Sequence, residues 1–440
     1  MDYVLLGGAI GILLVIAFSV RSGFKARRVE EKAREDYRRT VERGVQPASL
    51  YPRVNPSACI GSGTCIAVCP EKDVLGLIEG KARLVNPTSC IGHGECLRAC
   101  PVDAITLVLG TERRGVEIPL LQADFQTNVP GLYIIGELGG MGLIYNAMTQ
   151  ALQCMDEIRR APRSRISGVH ELLIVGAGPA GLAASLSALE AEMDFVTVDQ
   201  ESIGGTVLHY PRHKVVMTKS VILPLYGRVK VDTVEKEALL EIWEDIIRRT
   251  GLAIETQTTV HKVTRAEDGI FDVSTTRGHR RAQRVILAMG RRGTPRKLEV
   301  VGEERSKVTY RLLEPERYAG SRCLVVGGGD AAVEAAVALG DKGARVHLAH
   351  RRQFFDRIKP ANQAHLDDRV RNRQVNLLLE AAVHEIKEES VVLSVAQKKI
   401  ELDNDYVIVL IGGVLPTTFL ETAGVEVQTF KGQAFAPANR

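Results

Sequence analysis

The sequence predicts an α/β protein of several domains: two doubly wound nucleotide-type folds, a small cysteine-rich module and an N-terminal transmembrane helix. Three observations predict it. Glycine-rich turns follow apolar runs at two places, near residues 176 and 327. Six of the eight cysteines fall in two copies of one motif between residues 59 and 100. Residues 3–20 carry no charge. At 440 residues the chain is too long for one ordinary core. With 45% hydrophobic and 25% charged residues it has a globular balance, which excludes a disordered, fibrous or polytopic membrane chain. The net charge is +4, and residues 21–43 alone hold nine basic and five acidic side chains. The remainder is nearly neutral and only 5% of residues are aromatic, so no nucleic-acid partner is expected.

The first element is the apolar run YVLLGGAIGILLVIAFSV at residues 3–20, just long enough to cross a bilayer core. A cleaved signal peptide has basic residues before its apolar run. Here Asp2 precedes it, and Arg21, Lys25, Arg27 and Arg28 follow. The expectation is therefore an uncleaved anchor in the cell inner membrane. It would be single-pass, with the N-terminus outside and the catalytic domains cytoplasmic. Residues 22–50 read as a charged helical linker.

The cysteine motif comes next. The first copy is Cys59-Ile-Gly-Ser62-Gly-Thr-Cys65-Ile-Ala-Val-Cys69-Pro70. The second is Cys90-Ile-Gly-His93-Gly-Glu-Cys96-Leu-Arg-Ala-Cys100-Pro101, starting 31 residues later. In a cytoplasmic chain such groups are metal ligands rather than disulfides. Zinc sites favour paired hooks rather than three cysteines ending in Cys-Pro. The run resembles that of bacterial two-cluster ferredoxins, C-x2-C-x2-C-x3-C-P. That resemblance covers residues 52–108 and implies two iron–sulfur clusters. The last cysteine of each run in that family ligates the other cluster. The resemblance thus implies one set of Cys59, Cys65 and Cys100, and another of Cys90, Cys96 and Cys69. The second cysteine of each copy is replaced, by Ser62 and by His93. Each cluster is then [3Fe–4S], or [4Fe–4S] with Ser62, His93 or water on the fourth iron.

Residues 171–175 (ELLIV) lead into Gly176-Ala-Gly178-Pro-Ala-Gly181, a helical stretch, and a second strand ending at Asp199. This strand–turn–helix–strand–acid order is a dinucleotide fingerprint. Its glycines allow a tight turn and close approach of a pyrophosphate to the helix N-terminus. Asp199 would take a ribose hydroxyl, with Glu201 the competing acid. A second copy runs Cys323-Leu-Val-Val-Gly327-Gly-Gly329-Asp-Ala-Ala332. Its second strand ends in His350, Arg351 and Arg352 instead of an acid. Arginines pair with a 2′-phosphate, so this copy favours NADP(H) over NAD(H).

Two such folds, the second arginine-rich, resemble the thioredoxin-reductase-like flavoproteins. Residues 285–290 (VILAMG) look like the segment joining their FAD and NAD(P) domains, with Gly290 at its end. Residues 405–413 (DYVIVLIGG) look like their return strand. Gly204-Gly205-Thr206 followed by Tyr210-Pro211-Arg212 resembles the bacillithiol-disulfide-reductase subgroup. The C-x-x-C pair of thioredoxin reductases is absent. In that family a closing segment with a Gly-Asp/Glu pair follows the return strand. Here a matching segment, with Gly136 and Glu137, precedes the first glycine motif, which implies a circular permutation.

The full expectation is two Rossmann-like FAD and NAD(P) domains, a small α+β ferredoxin-like domain and one transmembrane helix. The boundaries are an anchor at 1–21, a linker at 22–50 and an iron–sulfur domain at 51–109. A permuted closing segment at 110–165 follows, then the first part of the FAD domain at 166–310. The NAD(P)H domain at 311–400 and a return to the FAD domain at 401–440 complete the chain. The expected function is a membrane-anchored oxidoreductase passing electrons between NADPH, FAD and the clusters, as ferredoxin–NADP reductases do. A soluble electron carrier, a cytochrome or a quinone is the partner. No acid–base catalyst is nominated. The rivals are an NADPH-dependent reductase of small disulfides and a membrane redox sensor without turnover. A homodimer is the assembly usual in the flavoprotein family.

Overall fold

The computed structural model describes residues 2–45, 47, 50–71, 73–90, 92, 94–112, 115–139, 143–210, 215–217, 220–231, 233–291, 294–414 and 416–434. The chain divides into two compact units, residues 1–109 and 110–440.

The smaller unit begins with a single helix, Asp2–Glu42. The expected transmembrane anchor is corrected here. Among the described residues no helix is long and apolar enough to cross a membrane. The uncharged run covers about 27 Å at a rise of about 1.5 Å per residue, short of a hydrocarbon core of about 30 Å. The helix also continues unbroken into the charged stretch. The single-pass inner-membrane placement, with its outside N-terminus, falls with the anchor. The charged half of the helix is held by the cysteine-rich module. Ala33 is buried and packs so closely on Gly76 that a Cβ there would come within 2.7 Å of its own. Arg34 pairs with Glu79 at 3.1 Å, and the Thr40 hydroxyl donates to Val85 O.

The module itself is a pair of antiparallel ladders. Tyr51–Val54 pairs with Ile105–Leu109, and Leu75–Ile78 forms a hairpin with Lys81–Leu84. Each cysteine motif bends through two left-handed glycines into one short helical turn. These are Gly61 and Gly63 before Thr64–Ala67, and Gly92 and Gly94 before Glu95–Arg98. Side chains rarely adopt that backbone, which is why both copies keep glycine at the same places.

The larger unit holds two parallel sheets. The first has the order Leu132–Ile134, Val285–Leu287, Leu172–Val175, Phe195–Val198, every pair parallel. Its central strands are apolar without alternation because both faces are covered. The helix Ile144–Arg160 packs on Pro179–Glu190 through Ala147, Met148, Ala151, Cys154, Met155 and Ile158, a spacing of three and four residues. The second sheet has the order Val308–Thr309, Tyr406–Leu410, Arg322–Gly327, Arg345–Ala349, Val375–Leu378, again parallel. A three-stranded antiparallel sheet accompanies each, at 260–282 and 381–403. Val116–Pro119 pairs antiparallel with Val427–Phe430, near the other end of the sequence.

Arg163 ties the segment before Leu172–Val175 to the turn after Pro179–Glu190. It grips Glu171 at 2.8 and 2.9 Å and donates to Ala191 O and Glu192 O. The Glu171 side chain is only 2% exposed, and the Arg163 hydrogen bonds hold its carboxyl down at about 2. Glu171→Gln is expected to lower stability by about 1–3 kcal/mol at neutral pH, read as a lower urea midpoint. A depressed carboxyl contributes fully above its unfolded value near 4.5 and loses that contribution as pH falls towards about 2. Wild type and variant should therefore converge in acid. Equal midpoints at pH 7 would refute a stabilising role for the pair.

Candidate cofactor sites

Three thiols from both motif copies meet at one cavity. Cys59 and Cys65 line it from the first copy, Cys100 from the second, with Ser62 beside them. Two sulfurs accept backbone amides, Cys59 from Ala82 at 3.5 Å and Cys100 from Ala104 at 3.2 Å. Cys69, Cys90 and Cys96 form the second group. The charge of Cys69 acts on both Cys90 and Cys96, and that of Cys90 on Cys96. Burial is the main cause that lifts these thiols, Cys90 to about 11 and Cys96 to about 12. His93 lies outside the described residues. Among the described residues, no three Cys, His, Asp or Glu side chains converge to hold a single metal ion. Three thiolates around one cavity suit a cluster, whose ligands each bind a different iron and need not converge on one point.

The first glycine turn is built by close approach. Gly176 has φ +108°, and a Cβ there would sit 2.6 Å from Ala288 O. A Cβ on Gly181 would sit 1.8 Å from Gly176 O. Gly178 differs: an added Cβ would meet only Gly205 Cα, at 3.7 Å. The space above the N-terminus of Pro179–Glu190 is thus an open cradle between two glycines, which fits a pyrophosphate. Asp199 is buried at the end of its strand. Its carboxylate accepts the amides of Ala177 at 2.6 Å and Glu201 at 2.8 Å. Burial raises its pKa despite those bonds. Glu201, the competing acid, is engaged elsewhere. It pairs with His209 at 2.6 Å and Arg311 at 3.0 Å. Burial pulls its carboxyl up, but Arg311 and His209 outweigh that and the net shift is downward.

The closing segment reaches the same region. Gly136 donates its amide to Gln150 Oε1 at 2.9 Å, and its Cα faces Ala180 of the nucleotide helix. A Cβ on Gly290 would lie 3.9 Å from Thr206 Oγ1 and 4.0 Å from Glu137 Oε2. Residues from three distant stretches, Gly136 with Glu137, Thr206, and Gly290, are therefore neighbours. Pro211 and Arg212 lie outside the described residues.

In the second fold, Gly327 packs against Leu410 O and Ala332, while Gly329 opens onto free space. That again leaves a cradle over a helix N-terminus, Asp330–Asp341. His350 is buried, stacked on Phe355 at 4.5 Å, with Nε2 3.2 Å from Phe354 O. A Cβ on Gly328 would strike its ring at 2.1 Å. Burial lowers the His350 pKa, so the ring is neutral at pH 7. Arg351 and Arg352 are exposed, and Arg352 is paired with Asp356. Asp330 went unnoticed in the sequence. Its carboxylate accepts Lys359 N at 2.8 Å and Asn362 Nδ2 at 2.7 Å, and so anchors the far end of the loop carrying both arginines. The available signal was its place as the first residue of the helix.

The pyridine nucleotide-disulphide oxidoreductase family matches residues 173–438. The chain belongs to this family. A 4Fe-4S dicluster domain matches residues 51–101. The protein is thus an FAD-dependent pyridine-nucleotide oxidoreductase with an iron–sulfur domain, and the resemblances drawn from both sets of motifs hold. Bacilliredoxin reductase Bdr of Bacillus subtilis is 27% identical over 60% of this chain and 83% of its own length. A ferredoxin–NADP reductase of Ignicoccus hospitalis is 28% identical over 42% of this chain, a match spanning 58% of that protein. The solved bacillithiol disulfide reductase of Bacillus cereus superposes with TM-score 0.52 at 25% identity, covering 58% of this chain and 82% of that one. The one from Staphylococcus aureus, at 24% and TM-score 0.53 over 58% and 80%, shares the fold.

The glycine geometry separates packing from binding. Gly181→Ala should destabilise the larger unit by about 1–3 kcal/mol, since its Cβ meets backbone that cannot give way. Gly178→Ala should leave the melting temperature of the flavin-free protein nearly unchanged, because its Cβ meets nothing nearer than Gly205 Cα at 3.7 Å. Equal losses in the two variants would contradict this geometry.

Proposed function

We propose that this oxidoreductase passes electrons between NADPH and a one-electron carrier, through FAD and two iron–sulfur clusters. The observation that carries the reading is the cavity shared by Cys59, Cys65 and Cys100 in a chain that also holds two nucleotide cradles. Bound flavin supplies conversion between a hydride and single electrons, and the clusters supply a one-electron outlet. FAD is held at Gly176, Gly178, Gly181 and Asp199, with Gly205, Thr206, Gly136, Glu137 and Gly290 around it. NADP(H) docks over Gly327, Gly329 and Ala332. There Arg351, which has no ion pair among the described residues, meets the 2′-phosphate, since Arg352 is shared with Asp356. His350 orients that loop by stacking rather than by charge. The clusters take Cys59, Cys65 and Cys100, and Cys69, Cys90 and Cys96. The partner is a soluble carrier, in keeping with the likeness to ferredoxin–NADP reductases.

The same reading makes residues 110–165 a circularly permuted end of the FAD domain. Residues 166–310 and 401–440 form the rest of that domain. Residues 311–400 form the NAD(P)H domain, and 51–109 the iron–sulfur domain. Parallel pairing of Leu132–Ile134 with Val285–Leu287 supports it. A second reading, reduction of a small disulfide, is favoured by the likeness to Bdr. Against it, Cys154 is fully buried, and Cys323 lies inside a strand with its thiol pushed up to about 12 by burial.

The test is an anaerobic NADPH titration followed by absorbance and electron paramagnetic resonance. Flavin bleaching with cluster reduction is expected. Clusters that neither accept electrons from NADPH nor return them to NADP+ would put the disulfide reading ahead. Arg351→Ala should raise KM for NADPH by roughly 10- to 100-fold, the loss of one charge-assisted pair, with little change for NADH. An unchanged KM would remove Arg351 from the phosphate site. Gly178→Ala should fold yet lose flavin, read as the ratio of flavin to protein absorbance.

A further inference from the structure

We propose that the second parallel sheet carries a binding site for a small phosphorylated compound, at the edge opposite its nucleotide cradle. A cavity of about 710 Å³ opens there, within the range of about 300–1,000 Å³ typical of small-molecule sites. It is lined by the first residues of three strands and the turns leading into them, with Arg322, Arg345, His347, Arg373 and Asn376 among them. Gly327 and Gly329 lie at the other end of these strands. The strand Arg322–Gly327 alone puts about 16 Å between the two places. The cavity is therefore separate from the cradle.

Its charges do not cancel. Two acids reach it from the strand Lys398–Asp403, and both are engaged. Glu401 pairs with Lys387 at 2.9 Å, and Asp403 with Arg322 at 3.0 Å. Arg322 is also held by Asp405 at 2.6 Å. Arg345 and Arg373 are exposed and have no ion pair among the described residues. Arg345 stands directly beside Arg322 in the parallel register, where like charges repel. His347 lies two residues further along the strand and so on the same face, with Asn376 as its register partner. Burial lowers the His347 pKa, so the ring is neutral at pH 7 and one nitrogen carries a proton to donate. Two uncompensated guanidinium groups, an imidazole and an amide thus line one cavity. That donor set suits a phosphate, which guanidinium forks hold by paired hydrogen bonds.

Arg373 also occupies a place where glycine would fold more easily. After the helix Asp330–Asp341, the turn into the next strand uses Gly343 at φ +82°. After the helix Pro360–Arg371, the corresponding turn puts Arg373 at φ +59°. A side chain strains the backbone in that left-handed region. The arginine keeps a strain that glycine would relieve, and it stands at the cavity wall.

The test is a calorimetric titration of the full chain with inorganic pyrophosphate at low ionic strength. FAD and NADP+ are kept saturating, so that both cradles are filled. Wild type should bind one pyrophosphate. Arg345→Ala and Arg373→Gly should each weaken that binding about 10- to 100-fold, the loss of one charge-assisted contact. Arg373→Gly should melt no lower than wild type, because glycine accepts the left-handed turn. Its weaker binding is then a loss of charge and not of fold. Absence of binding to wild type, or equal affinity in wild type and both variants, would overturn the site. Tighter binding of citrate than of pyrophosphate would overturn its assignment to a phosphorylated ligand.

Discussion

The parallel ladder between Leu132–Ile134 and Val285–Leu287 is the contact on which the larger unit depends. Leu132, Ile134, Val285, Ile286 and Leu287 are all wholly buried. Val285 N donates to Gly131 O, and Ile135 N to Leu287 O. Without residues 131–135 a central strand would become an edge, with amides and carbonyls left unpaired. Each such group costs about 1–3 kcal/mol when it stays buried. The ladder also brings in the helix Ile144–Arg160, whose buried face covers one side of the nucleotide helix. Asn128 adds a second tie, donating to Gly424 O and accepting Glu426 N. The first parallel sheet is therefore completed by a strand lying ahead of its others in sequence.

Once the sheet is closed, contact distances at the glycines determine what can bind. Gly176 and Gly181 are glycines because backbone presses on backbone there. Gly178 and Gly329 face open space at helix N-termini, where amide dipoles point outward. The same motif thus contains two kinds of glycine, one serving packing and one leaving room for a ligand. In the second fold His350 fills the space over Gly328, and Asp330 fixes the loop from its far end. The two exposed arginines are carried on a loop held at both ends.

In the smaller unit the constraint is covalent order. The duplicated motif folds each copy through paired left-handed glycines, and the third cysteine of each copy joins the other group. Neither group is complete within one copy. The charged helix that precedes the module packs on its hairpin through Ala33, Arg34 and Thr40. The reading of residues 22–50 as a solvated spacer could not include these contacts, since they lie 45 residues away in sequence for Arg34 and Thr40.

Both nucleotide folds and the cysteine-rich iron–sulfur domain were legible in the sequence. Each depends on short-range spacing, because a turn, a helix start and a strand end follow one another within about 25 residues of chain. The anchor was misjudged for a related reason. A run of apolar residues reports hydrophobicity over a window, whereas crossing a membrane also depends on the length and apolar character of the whole helix. Only the tertiary structure decided the rest. It revealed that Glu201 is committed to His209 and Arg311, that Arg352 is paired with Asp356, that His350 is buried and that the Ser62 and Thr64 hydroxyls are hydrogen-bonded to each other. Which partner a polar side chain takes depends on the direction and burial of groups brought together by folding, and residue type and spacing do not encode that.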